Sequence, residues 1–508
     1  MHRLRRVSLV AAICLGTFMT SLDISIVNVA LPAMQAALNT TLSGLQWVVD
    51  AYALCLSACI LSSGPLSARF GHKRVWLCGI AIFTVGSALC ALAGSLPTLL
   101  AGRVVQGIAG AAIIPGALSL LTRSFPDEFQ RIRVIGIWSA VSALSLVAGP
   151  LLGGILVHIT GWQVIFLINL PIGIITLLLG HYGLRESASK ERLSLDPAGQ
   201  LLSVLWLGAL TFGLIASGEH GWRSPLSAGS LFAALLLFAA FLRVEKFAVR
   251  PLLPLDLFRK ADFTLCNLAS AVLGFSAYSS VFFVSLFLQQ AQGWNSLETG
   301  WRMAPEFIAM AIVAMAFGRL SARFSVLMMA VTGYALMAVG LLLMPLLDAG
   351  SPGLFVSLLL AILGAGMGLA MPATSALVMR SAPTERSGIA SAVMNALRQA
   401  GMTLGIALLG TLMNLHAQAV LAARLRAARF SQPEALAHAA IVEHHWPTSV
   451  DGERLMQEMA HAIASGFGSA MLWAGLISLA MALVLMLLHP RFRQRSTEPP
   501  LVSDGARH

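Results

Sequence analysis

Residues 64–74 read GPLSARFGHKR, and five of them, LSARF at Leu66–Phe70, return unchanged at Leu320–Phe324. Each copy closes an apolar run and enters a turn, the first after the second apolar run and the second after the tenth. With runs seven and eight set aside as an insertion, both copies follow the second helix of a six-helix half. Five residues alone can match by chance, but matched topology makes duplication the better reading. Membrane transporters are often built from two such repeats, with the binding site between them.

The composition points to a membrane. Of 508 residues, 57% are hydrophobic and 11% charged, and the mean hydropathy is +0.81. A soluble domain of this length needs far more polar surface to cover its core. The same numbers exclude a disordered, collagen-like or disulfide-scaffold chain. The 45 glycines suit helices that pack closely through small residues. A net charge of +11 raises the question of nucleic acid. The bases lie in short clusters between apolar runs, however, as they do in cytoplasmic loops, so nucleic acid is not an expected partner. Cys14, Cys55, Cys59, Cys78, Cys90 and Cys266 all fall inside apolar runs, without metal-ligand or disulfide spacing, and read as packing residues. The basic start MHRLRR precedes an apolar run with no small-residue cleavage site, which reads as an uncleaved first span.

Fourteen runs are long enough to cross a bilayer. They start near Val7, Gln46, Val75, Leu96, Val134, Trp162, Ala198, Leu226, Phe263, Arg302, Phe324, Gly353, Gly388 and Ser465. With the N-terminus inside, most Lys and Arg residues fall on the cytoplasmic side, among them Arg3, Arg5, Arg6, Arg69, Lys73 and Arg74. The other side holds Arg223, Arg302, Arg424, Arg426, Arg429 and Arg454. That bias places both termini in the cytoplasm, which requires an even number of spans. The longest connection, 415–464, reads as a partly helical extramembrane loop.

Ionisable groups deep in a bilayer cost at least ~2.5–3.5 kcal/mol each, so each is a functional suspect. Asp23 in span one and Arg103 in span four lie about seven residues from the same outer surface and share a depth. They either meet across the N-terminal half or both face a water-filled cavity, and a purely structural ion pair is the plain alternative. Arg398 falls near the midplane of span thirteen, beside Asn395 and Gln399. Buried arginines keep their protons and can hold anions or orient partners. A carboxyl can carry a proton, which makes Asp23 the first choice for proton coupling, with Glu306 and Asp50 in reserve. The latter two fall in the first turns of their spans, where water should reach them. His158, His181, His444 and His445 read as interface or loop residues, with no metal-binding spacing. GxxxxGK[ST], HExxH and GxSxG are absent, which argues against ATP-driven transport and hydrolysis within this chain. No metal, cofactor or enzymatic activity is expected.

Six stretches in order carry a resemblance: LDISIVNVALP (22–32), GPLSARFGHKR (64–74), RVVQG (103–107), GPLLGG (149–154), GWQVIFLINLPIG (161–173) and NALRQAG (395–401). Over almost its whole length the chain resembles the major facilitator superfamily, specifically its fourteen-helix drug:proton antiporters of the EmrB/QacA type. The resemblance implies an all-α fold of two six-helix halves, with two inserted helices. Gly64 and Gly71 would permit a tight cytoplasmic turn, with Arg69, Lys73 and Arg74 at the headgroups. Gly149, Pro150, Gly153 and Gly154 would allow close helix approach and a bend, although generic packing gives the same pattern. The resemblance departs at Ala68, where the loop motif carries an acid thought to help latch the outward-facing state, and at His72, where it carries a base. It departs again at Gln163 and Val164, where Arg and Trp are usual.

These readings imply an N-terminal half over 1–190, inserted helices and a cytoplasmic connection over 191–262, a C-terminal half over 263–489 and a tail over 490–508. The implied function is proton-coupled export of small lipophilic drugs, biocides or antibiotics across the inner membrane. A proton-coupled importer or exporter of one small metabolite is the alternative. Asn28, Arg103, Gln106, Asn395, Arg398 and Gln399 are expected around the substrate cavity or as charge partners. The expected partners are substrate, protons and lipid, with periplasmic adaptor and outer-membrane channel proteins as candidates.

Overall fold

The computed structural model describes residues 2–125, 127–186, 196–248, 251–383, 386–443 and 452–487. His444, His445, the 190/191 boundary and the 490–508 tail lie outside the described residues. Among those described, the regular elements are helical, and fourteen are long and apolar enough to cross a bilayer. In chain order they are α1 (His2–Leu38), α2 (Leu42–Ile60), α3 (His72–Ala91), α4 (Leu96–Ser124), α5 (Glu128–Thr160), α6 (Val164–Gly183) and α7 (Pro197–His220). There follow α8 (Pro225–Phe247), α9 (Ala261–Ala291), α10 (Ser296–Ser321), α11 (Val326–Leu343), α12 (Gly353–Ser381), α13 (Ser387–Ala427) and α14 (Gly452–Leu487).

Local chemistry sets many of the starts. Asn295 and Glu298 form a reciprocal capping box at α10, and Asp127, Asp196 and Ser325 cap α5, α7 and α11. Several helices outrun their apolar stretches. Helix α5 starts before Val134, and α13 continues to Ala427, where a loop was expected from residue 415. An apolar run measures only the part of a helix in lipid, and backbone hydrogen bonding does not stop at the lipid boundary. Gly64 also departs from expectation. It lies inside a short helix, Ser63–Phe70, and the turn itself is made by Gly71 at φ +99°.

Packing follows the duplication. In the N-terminal half α1 packs on α5 and α6, α2 on α4, and α3 on α4. In the C-terminal half α10 and α11 pack on α12, while α11 and α13 pack on α14. The halves meet through α2 with α13, α5 with α10, and α1 with α9. Shifting each helix number by eight turns the α5–α10 pair into α13–α2. The two main seams are therefore images of one another, as an internal repeat requires.

The inserted pair is not peripheral at both members. Helix α7 packs against α2 and α13 together, along one seam between the halves, and α8 packs on α7.

Hydrogen bonds join the halves, most of them towards the outer ends, with Ser57 Oγ to Ala396 O (2.9 Å) towards the inner end of α2. Ser285 Oγ donates to Asn28 O (2.7 Å), Gln289 Nε2 to Val29 O (3.1 Å) and Gln290 Nε2 to Gln35 Oε1 (2.6 Å). Gln46 Nε2 donates to Ile406 O at 2.7 Å. A Cβ on Gly154 would meet Ser296 O at 2.6 Å, and one on Gly300 would collide with Pro150 O, so α5 and α10 touch backbone to backbone there. Further along α10, Ile312 and Met315 are exposed, as is Leu144 at the middle of α5.

Candidate functional site

Asp23 and Arg103 meet. Arg103 Nη1 donates to Asp23 Oδ2 at 2.5 Å, and both side chains are buried. The pair belongs to a closed polar cluster on five helices of the N-terminal half. Gln106 Nε2 (3.1 Å) and Asn169 Nδ2 (3.3 Å) donate to Asp23 Oδ1, and both also reach Ser87 Oγ. Arg103 Nη1 also donates to Gln106 Oε1 (2.9 Å) and its Nε to Val48 O (3.0 Å), while its guanidinium lies 4.5 Å from the Tyr52 ring centroid. A buried ion pair is tolerable only when its remaining donors and acceptors are met in this way. Position explains the geometry: Arg103 and Gln106 are three residues apart and so share a face of α4.

Asn169, Ser87 and Tyr52 were missed from sequence. Asn169 lies within the GWQVIFLINLPIG stretch, so its motif pointed to it, but uncharged polar residues stand out little among apolar ones.

Asp50 and Glu306 depart from expectation. Neither is in reach of water: both are fully buried, and no oxygen of either carboxyl has a hydrogen-bond partner. Asp50 is the ninth residue of α2 and Glu306 the eleventh of α10, so each sits beyond the first two turns. A carboxylate with neither cation nor donor is costly to bury. Each therefore lacks the partner that a buried charge requires. Asp50 stands four residues after Gln46 and seven before Ser57, which bond Ile406 O and Ala396 O of α13. That spacing puts it on the face α2 turns to the opposite half.

Between the halves lies a cavity. Ile24, Ser25 and Asn28 of α1, Val49 of α2 and Leu146 of α5 line one side. Tyr278, Phe307, Met310, Met367 and Met402 line the other. Its walls are apolar, and the three methionines provide flexible, polarizable surface. Helix α9 reaches the cavity through a π-helical segment, Gly274–Tyr278, where a Cβ on Gly274 would collide with Arg398 O. Such segments often mark functional positions. Behind the wall the Arg398 guanidinium lies 5.6 Å from the Tyr278 ring centroid and donates to Asn395 Oδ1. Asn28 thus faces the cavity, and Arg103 and Gln106 are charge partners inside one half. Gln399 is buried on α13.

On the basic side, the 64–74 turn is held by a residue not singled out from sequence. Glu186 accepts from the backbone N–H groups of Lys73 and Arg74, both at 3.2 Å, and lies 3.7 Å from Arg74 Nε. Lys73 Nζ donates to His181 O at 2.8 Å. An acid at a helix N-terminus satisfies free amides and the positive end of the dipole. Glu186 provides this for α3, while Ala68 offers no charge. Of the second glycine motif, a Cβ on Gly149 would collide with Ser25 and one on Gly153 would meet Ile26 Cγ1 at 2.8 Å, so both set the α1–α5 approach. Among the described residues no cluster of His, Cys, Asp and Glu is arranged to hold a metal ion.

Comparison with known proteins agrees with this architecture. A family model described as Major Facilitator Superfamily matches residues 13–406. The chain is 35% identical over 412 residues to a methylenomycin A resistance protein of Bacillus subtilis, covering 81% of this chain and 88% of that one. It is 34% identical over 428 residues to the multidrug resistance protein Stp of Mycobacterium tuberculosis (84% and 79% covered). It is 36% identical over 403 residues to a tetracenomycin C resistance and export protein of Streptomyces glaucescens (79% and 75% covered). In fold it is similar to a bacterial homolog of the human lysosomal transporter Spinster, solved in an inward-facing, unoccupied conformation (TM-score 0.65, 20% identity, 98% and 100% covered). With two structurally equivalent halves, a cavity between them and a family match across most of its length, the chain belongs to the major facilitator superfamily.

Proposed function

We propose that the protein exports small lipophilic molecules, antibiotics among them, across the inner membrane in exchange for protons. The observation that carries this reading is the apolar, methionine-lined cavity enclosed by both halves and sealed towards the outer side. A site between two repeats can be opened to either face by rocking one half against the other. The drug-resistance and export names of the relatives support an outward direction.

Protons enter the scheme through the buried carboxyls. In this reading Asp23 is the first proton site, and opening of its pair with Arg103 is the step coupled to transport. Asp50 and Glu306 need release no partner and serve as further proton sites. The described cavity wall carries no acid, and Arg398 stands behind Tyr278. Neutral or anionic lipophilic compounds are therefore the preferred cargo.

The test is a survival screen of an efflux-deficient host expressing the protein, paired with proteoliposomes under an imposed pH gradient. Resistance to antibiotics together with substrate-induced proton release supports the reading. Gradient-driven accumulation of a metabolite without resistance would replace it with the importer.

A further inference from the structure

The outer end of α7 is gripped from both halves at once. From the N-terminal half, Thr41 and Ser43 at the start of α2 both donate to Glu219 Oε1, Thr41 at 3.2 Å. From the C-terminal half, Thr411 Oγ1 donates to Leu214 O (2.6 Å) and Asn414 Nδ2 to Gly218 O (3.1 Å). His438, in the short outer helix Pro433–His438, reaches Glu219 O at 3.4 Å. A Cβ on Gly218 would meet Thr411 at 3.2 Å, so α7 and α13 lie against each other there. Towards the other end of α7, Gln200 binds Ala58 O and Ser62 of α2. Polar ties to the C-terminal half are therefore found at the outer end.

We propose that the inserted helix α7 is a strap across the outer gate, and that Glu219 is the positioning residue which fastens it to the N-terminal half. This rests on the alternating-access reading above and assigns the inserted pair a task within it. Opening the outer side must part α2 from α13, whose direct tie there is Gln46 to Ile406 O. Because α7 holds both helices, that separation must also break the Thr41 and Ser43 bonds to Glu219 or the Thr411 and Asn414 bonds to α7 carbonyls. Bonds to a carboxylate are the stronger kind. Glu219 is therefore the fastening whose loss should shift the gate most.

Hydrogen–deuterium exchange on the full-length protein in nanodiscs, without substrate or gradient, tests this. Glu219→Leu and the double variant Thr41→Val with Ser43→Ala should each raise exchange about tenfold at the outer ends of both halves, residues 28–36 and 285–297. Each variant removes both hydroxyl bonds to Glu219, and a net loss of ~1.4 kcal/mol is a factor of ten. Exchange at the inner start of α3, residues 72–80, should stay at the parent's level. Glu219→Gln keeps an acceptor oxygen and should exchange within about twofold of the parent. Unchanged outer exchange in Glu219→Leu overturns the strap, as does a uniform rise at both ends, which would mean general loosening. A Glu219→Gln variant as fast as Glu219→Leu overturns the hydrogen-bond assignment. Since no transport is measured, a failed efflux assay would count against the exporter reading alone.

Discussion

At the scale of residues, the buried carboxyls Asp23, Asp50 and Glu306 are not equivalent. Asp23 has a full set of partners, whereas Asp50 and Glu306 have none. Removing one member of a buried pair strands the other, at a cost of about 3–5 kcal/mol. Asp23→Asn should therefore lower unfolding stability by that order and abolish substrate-induced proton release. Asp23→Leu combined with Arg103→Met should regain most of the stability and none of the coupling. Asp50→Asn and Glu306→Gln strand nothing, so they should leave stability unchanged or raised and reduce coupling less. Chemical denaturation in detergent and proton release from proteoliposomes read the two effects separately. If Asp23→Asn were as stable as the parent, the Asp23–Arg103 pair would not be holding the N-terminal half together.

At the scale of elements, small residues decide how helices meet. Gly300 and Gly318 share α10, yet a Cβ on Gly300 collides with Pro150 O of α5 and one on Gly318 meets nothing within 4 Å. Gly300→Ala should cost about 1–3 kcal/mol by overpacking and weaken the outer α5–α10 seal. Gly318→Ala should be neutral, or stabilising by up to about 1 kcal/mol through helix propensity. Melting curves of the two variants make the comparison. The start of α3 offers a second case. Glu186→Ala removes the acceptor for two helix-terminal amides and should cost roughly 1 kcal/mol, seen as faster amide exchange at residues 72–76. Ala68→Asp should do less, because Glu186 already caps these amides.

At the scale of the whole molecule, hydrogen bonds between the halves close the outer side, and the apolar cavity lies between the halves. With Arg398 behind the Tyr278 wall, the protein should protect cells better against neutral and anionic compounds than against permanent cations. Arg398→Gln should narrow that difference. Minimum inhibitory concentrations across a panel matched in size and differing in charge check this, and equal protection in parent and variant would remove Arg398 from selectivity.

By itself the sequence determined the class, the span count, the duplication and the depth of Asp23 and Arg103. These depend on local quantities: the length of an apolar run, the position of bases between runs, and distance along a helix from its end. The LSARF repeat pointed to two equivalent halves, and the exchange symmetry of the α2–α13 and α5–α10 seams agrees with that. Only the tertiary structure decided that Asp23 and Arg103 form a pair rather than both face water, since equal depth on two helices says nothing of their rotation about their axes. It also decided that Asp50 and Glu306 are sealed from solvent, because burial depends on neighbours hundreds of residues away. The same holds for Glu186 closing the loop motif in place of an acid at position 68, and for α7 lying in a seam. An inserted hairpin has the same hydropathy whether it packs between two halves or drifts beside them, and only contacts across the fold tell the two apart.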